Sequence, residues 1–194
     1  MTQPEALHSL LEDVAAGNVS PSAALDKLKN LAFEPVGDFA KIDHHRSLRT
    51  GFPEVIWGLG KTPDQIVQIM QVMRTHNPVV MATRIEPDVF AQLKEKVPDV
   101  QYYPTARICT ITSEEIKPKY PGTITLIAAG TSDLSVAEEA AMTAELFGFQ
   151  VQRLWDVGVA GIHRLLSNRE VIAQGDVLIV VAGMEGALPS VVAG

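Results

Sequence analysis

Cysteine is almost missing from this chain: Cys109 is the one example in 194 residues. A lone thiol excludes an internal disulfide framework and a zinc site built on cysteine clusters, and it fits a reducing compartment. Aromatic residues make up only 6% of the chain, so its core must be built from small aliphatic side chains, which suits helices packed on a sheet. There is no excess of positive charge. Sixteen Lys and Arg stand against 23 Asp and Glu, a formal charge of −7 that argues against general nucleic-acid binding. No apolar run is long enough to span a bilayer. The first residues are acidic and amphipathic and carry neither the basic start nor the apolar core of a signal peptide. The composition therefore predicts a soluble, cytoplasmic protein.

What is present is most informative after residue 122. An apolar run, Ile124-Thr125-Leu126-Ile127-Ala128-Ala129, leads straight into Gly130-Thr131-Ser132-Asp133, and a helical pattern starts near Leu134. The run reads as a strand buried on both faces. The turn delivers a glycine, two hydroxyls and a carboxylate to a helix N-terminus, where unpaired backbone N–H groups and a partial positive charge favour an anion. Further strands are predicted at 151–157 and 177–182, with helices over 135–147 and 161–167. Strands alternating with helices predict a parallel sheet covered on both faces. In such sheets ligands sit beyond the carboxyl ends of the strands, so the loops 130–133, 156–163 and 183–189 are expected to converge. Residues 190–194 read as the first turn of a helix, and the chain is expected either to be cut short there or to be completed by a partner.

Upstream, helical spacing predicts helices over 4–16 and 23–31 that form a hairpin. Short strands are expected within 52–57 and at 79–82, 99–103 and 108–111, with helices at 64–76 and 87–96. Two prolines and a glycine in 117–122 predict a junction. The reading is an α/β chain in three parts: a helical arm (1–34), an N-terminal α/β domain (35–118) and a parallel-sheet nucleotide-binding domain (119–194).

Several side chains are candidates for function. Gly130, Thr131, Ser132 and Asp133 suit a phosphate or ribose, although the same residue types also cap helices without any ligand. The spacing is neither a Walker A loop nor a dinucleotide GxGxxG. Glu185 lies between glycines at a strand end, as an acid, a base or a solvated loop residue. His163 is a candidate proton carrier, or a residue that only faces solvent on a helix's first turn, and Arg164 beside it suits a phosphate. Arg46, Arg49 and Lys61 cluster in a glycine-rich stretch and suit anionic groups. His44 and His45 invite a metal reading. Neighbours on a strand point to opposite faces, however, and no third ligand follows at helical spacing, so zinc is not expected there. Cys109 sits in an apolar segment and reads as an inert core thiol.

Asp43-His44-His45-Arg46, Arg49-Thr50-Gly51-Phe52-Pro53-Glu54-Val55-Ile56, Gly58-Leu59-Gly60-Lys61-Thr62, Ala129-Gly130-Thr131-Ser132-Asp133, Asp156 through Arg164 and Gly183-Met184-Glu185-Gly186-Ala187-Leu188-Pro189 together resemble the LarB family. That family makes the precursor of the nickel-pincer nucleotide cofactor of lactate racemase. The second half also resembles the PurE fold of carboxyaminoimidazole ribonucleotide mutase. The resemblance implies a three-layer PurE-like domain. It further implies carboxylation of the pyridinium ring of nicotinic acid adenine dinucleotide by CO2 or bicarbonate, with Mg2+ assisting. Hydrolysis of the phosphoanhydride would release AMP and pyridinium-3,5-biscarboxylic acid mononucleotide. A PurE-like octamer is implied as well. Glu185 and Asp133 would then be catalytic, and Gly130, Thr131, Ser132, Asp133, Arg46, Arg49, Lys61, His163 and Arg164 would bind substrate. The family's attacking cysteine lies beyond the Leu-Pro loop, and Cys109 does not match it. Two alternatives stay open. One is a PurE-type mutase, although Ala187 replaces the histidine of its loop. The other is a non-catalytic nucleotide-binding or assembly module.

Overall fold

The computed structural model describes residues 3–28, 33–44 and 46–194. His45 and residues 29–32, at the end of the second predicted helix, lie outside them, as does the side chain of Arg49.

An antiparallel helical pair opens the chain, α1 (Gln3–Ala15) and α2 (Pro21–Leu28). Ser20 starts α2 by accepting the Ala23 N–H at 3.2 Å. Two three-residue strands follow, β1 (Glu34–Val36) and β2 (Ala40–Ile42), paired as a hairpin. The sequence reading missed them, because strands this short give no readable alternation. A short helix, α3 (Arg46–Thr50), stands in the glycine-rich stretch, where the sequence reading assigned no element.

The first sheet has the order β3-β4-β6-β5, built from β3 (Ile56–Trp57), β4 (Val79–Thr83), β5 (Gln101–Tyr103) and β6 (Ile108–Thr112). Only β3 and β4 run parallel. Helices α4 (Pro63–Met73) and α5 (Pro87–Lys96) pack on one face. Thr62 sets the start of α4. Its hydroxyl accepts the Gln65 N–H at 3.3 Å while Gln65 Oε1 accepts the Thr62 N–H at 3.0 Å, and Pro63 occupies the first turn. Ile66, Ile69, Met70 and Met73 are the buried stripe of that helix.

The second sheet is parallel, with the order β8-β7-β9: β7 (Thr123–Ala128), β8 (Gln150–Leu154) and β9 (Val177–Val181). β7 lies in the middle, which explains why its residues are apolar on both faces. Helix α6 (Leu134–Leu146) covers one face. On the other, α7 (Ile162–Leu166), α8 (Arg169–Ala173) and α9 (Ala187–Ala193) gather Leu165, Ile172, Leu188 and Val192 against Ile127, Leu154 and Val180. These are the three layers of a PurE-like α/β fold. α8 was not foreseen, and α9 begins at Ala187 rather than after Pro189, since proline is tolerated in a helix's first turn.

Helix α6 also touches the first sheet. Leu146, Met142 and Phe147 pack against Met81 and Ile108, and Arg84 Nε pairs with Glu139 Oε2 at 2.7 Å. A helix buried between two sheets needs small residues on more than one side. Ala137, Ala141 and Ala144 are accordingly buried. Residues 113–122, which link the sheets, carry no helix or strand. No helix among the described residues is long and apolar enough to cross a membrane.

Candidate functional site

In the order β8-β7-β9, the chain leaves β7 toward one side and later returns to place β9 on the other. The strand order therefore reverses at the C-terminal ends of β7 and β9, where a crevice opens in sheets of this kind. A cleft of about 590 Å3 lies there. That is within the usual range for small-molecule sites, about 300–1,000 Å3. Its lining includes Gly130, Ser132 and Asp133 after β7, Asp156 and Arg164 after β8, and Glu185 after β9.

Asp133 ties two of these loops together. One carboxylate oxygen accepts the Gly130 N–H at 3.0 Å, and the other accepts the Gly183 N–H at 2.8 Å. A Cβ on Gly183 would come within 3.1 Å of that second oxygen, so glycine lets the third loop close on the first. The second loop is held by backbone. Gly158 donates its N–H to Ala129 O at 2.8 Å, and a Cβ at Gly158 would sit 2.8 Å from the same carbonyl. Only glycine permits that approach.

The charges are uneven. Asp133, Asp156 and Glu185 face the cleft, and Arg164 is the guanidinium among its lining residues. Arg164 is already paired with Asp156. Both oxygens of Asp133 are engaged by backbone N–H groups. Glu185 is exposed and has no partner among the described residues. Asp156 and Glu185 also hold positive backbone φ angles of 59° and 34°. Non-glycine residues are uncommon in that region, and at such angles they cost about 1–3 kcal/mol each, a form of strain that concentrates at functional sites.

Of the residues singled out from sequence, Gly130, Ser132, Asp133, Arg164 and Glu185 come together. Thr131 and His163 are exposed and do not line the cleft. Arg46 is exposed on α3, and Lys61 turns back to donate to Trp57 O at 2.8 Å; neither lines it. Asp156 and Gly158 were overlooked as individual residues. The signal available for them was the strand-end position of Asp156-Val157-Gly158. Cys109 is fully buried on β6, and burial pushes its thiol up to about 12. It stays protonated near neutrality and is no nucleophile.

The chain is 37% identical to an uncharacterized protein of Methanocaldococcus jannaschii, over 96% of this chain and 76% of that protein. Residues 33–114 match the LarB/PurE-like N-terminal domain. The chain belongs to the LarB/PurE-like family. The matched residues of the LarB/PurE-like domain run from the β1–β2 hairpin to the end of the first sheet. The cleft lies downstream of them, on the second sheet.

Proposed function

We propose that this LarB/PurE-like chain binds nicotinic acid adenine dinucleotide in the cleft at the ends of β7, β8 and β9. The proposed reaction is carboxylation of the pyridinium ring and cleavage of the phosphoanhydride, giving pyridinium-3,5-biscarboxylic acid mononucleotide and AMP. The observation that carries this reading is the Asp133 tie, which fixes a phosphate-type turn and a free carboxylate, Glu185, around one crevice. Ser132 and the start of α6 would meet a phosphate or ribose. Asp133 acts as a positioning residue, because its oxygens already hold Gly130 and Gly183.

The electrostatics make a demand of their own. Three carboxylates and one paired guanidinium repel an anionic ligand unless a cation comes with it. A hard divalent ion bound by one or two carboxylates and the substrate's phosphates meets that demand, and Glu185 with Ser132 offers suitable oxygens. Mg2+ held there would neutralise charge on the phosphoanhydride oxygens. Glu185 is also placed to hold or release a proton beside the bound ring. Ring carboxylation through a thiolate would need a sulfur other than Cys109, which is buried in the first sheet.

The test is calorimetry of the chain with nicotinic acid adenine dinucleotide, with and without Mg2+, followed by chromatography for AMP. Saturable heat that strengthens with Mg2+ is expected. Absence of both heat and AMP overturns the reading. Heat without AMP, at any pH between 6 and 9, would favour a binding module instead.

A further inference from the structure

Away from the cleft, three metal-ligating side chains meet that are far apart in sequence. Glu34 comes from β1, His44 from the turn after β2, and His76 from just beyond α4. One ligand atom from each lies within 4.8 Å of the others. His44 Nε2 and Glu34 Oε2 are 2.7 Å apart, and the two imidazole centroids are 4.2 Å apart with their planes tilted by 39°. The His44 side chain is only 12% exposed, yet its Nδ1 is buried with no hydrogen-bond partner among the described residues. Nε2 is thus the His44 nitrogen that faces Glu34, and it is the atom an ion beside that carboxylate would take. Thr75 Oγ1 lies 2.6 Å from His76 Nδ1 and orients that ring, as outer partners do for metal-bound histidines.

We propose that Glu34, His44 and His76 bind a divalent transition-metal ion of the zinc class, with a fourth position open to water. Two imidazoles and a carboxylate are a familiar donor set for zinc, and a poor one for Mg2+, which takes oxygen ligands. Tetrahedral bonds of about 2.0–2.1 Å place ligand atoms about 3.3 Å apart. No gap between these ligand atoms exceeds 4.8 Å, so each must close by at most about 1.5 Å, and His76 is exposed rather than packed in the core. The ion would clip the hairpin to the end of α4, where β1 and β2 already pack on that helix. The sequence reading found no third ligand near His44 because it sought one at helical spacing. The fold supplies two from other elements.

The experiment is zinc titration of the tag-free chain by calorimetry, with Co2+ absorption as the geometric probe. The variants are Glu34→Gln, His76→Asn and a control, His8→Ala, which removes the separate His8–Glu12 pair. Glu34 and His76 are both solvent-accessible, so these variants are expected to fold, and circular dichroism checks it. The expected result is one equivalent of zinc, intense tetrahedral Co2+ bands, at least tenfold weaker binding in Glu34→Gln and in His76→Asn, and no change in His8→Ala. Excess Mg2+ should not displace the zinc. No saturable zinc binding, affinity within twofold of wild type in either ligand variant, or loss of binding in His8→Ala overturns the proposal. Nucleotide binding in the cleft is read separately and does not bear on this outcome.

Discussion

Asp133→Ala removes a carboxylate that accepts two backbone N–H groups, from Gly130 at 3.0 Å and Gly183 at 2.8 Å. An ordinary helix-cap loss costs about 1 kcal/mol. Here the accepted bonds are charge-assisted, a class worth about 1.5–3 kcal/mol each when well shielded. Gly183 is exposed and Gly130 only part-buried, so solvent recovers much of that, and the expected cost is about 2 kcal/mol. The cost falls on the tie between the ends of β7 and β9 rather than on the cores. The variant should keep its far-ultraviolet circular dichroism while its urea midpoint drops. The amides of Gly130 and Gly183 should exchange faster by NMR, and the dinucleotide should bind at least tenfold more weakly. Asp133→Asn should be little better, because it offers one acceptor oxygen and sets an NH2 against a backbone N–H. Unchanged exchange at Gly183 together with an unchanged urea midpoint would refute the claim that this carboxylate holds the cleft.

Gly158→Ala places a methyl 2.8 Å from Ala129 O, and backbone cannot give way cheaply. A loss of about 1–3 kcal/mol in urea denaturation is expected. Arg153, on β8, holds Glu138 and Glu145 of α6, and the paired carboxylates keep its guanidinium protonated more firmly than usual. Arg153→Met leaves two partly buried carboxylates without this partner and should cost about 2 kcal/mol in urea denaturation at neutral pH. For Cys109, burial raises the thiol pKa from 9.0 to about 12. The folded state thus holds the proton more tightly, and that contribution is complete below pH 9 and is lost as pH climbs toward 12. Three pH units correspond to about 4 kcal/mol, so wild-type stability should fall more steeply with pH above 9 than that of Cys109→Ala, and a thiol reagent should label the native protein only through unfolding.

Legibility followed how local the physics was. The β7 run and the α5 boundaries could be read because burial on two faces and proline at a first turn leave marks within a few residues. The β1–β2 hairpin could not, since three-residue strands acquire their stability from packing on α4. The strand-end rule, which needs only the order of elements, was enough to bring Ser132, Asp133 and Glu185 to one cleft. Arg46 and Lys61 do not line that cleft, because charge clustered in sequence does not reveal which sheet end it serves. The contact of Asp133 with Gly183 spans 50 residues and left no sequence signal. The meeting of Glu34, His44 and His76 was equally silent.

The central claim is that the ends of β7, β8 and β9 form one nucleotide-binding crevice. Amide chemical-shift mapping during titration with nicotinic acid adenine dinucleotide and Mg2+ tests it most directly. Saturable shifts centred on Gly130, Ser132, Gly158, Gly183 and Glu185 are predicted. Shifts confined to the first sheet, or none at millimolar ligand, would contradict it.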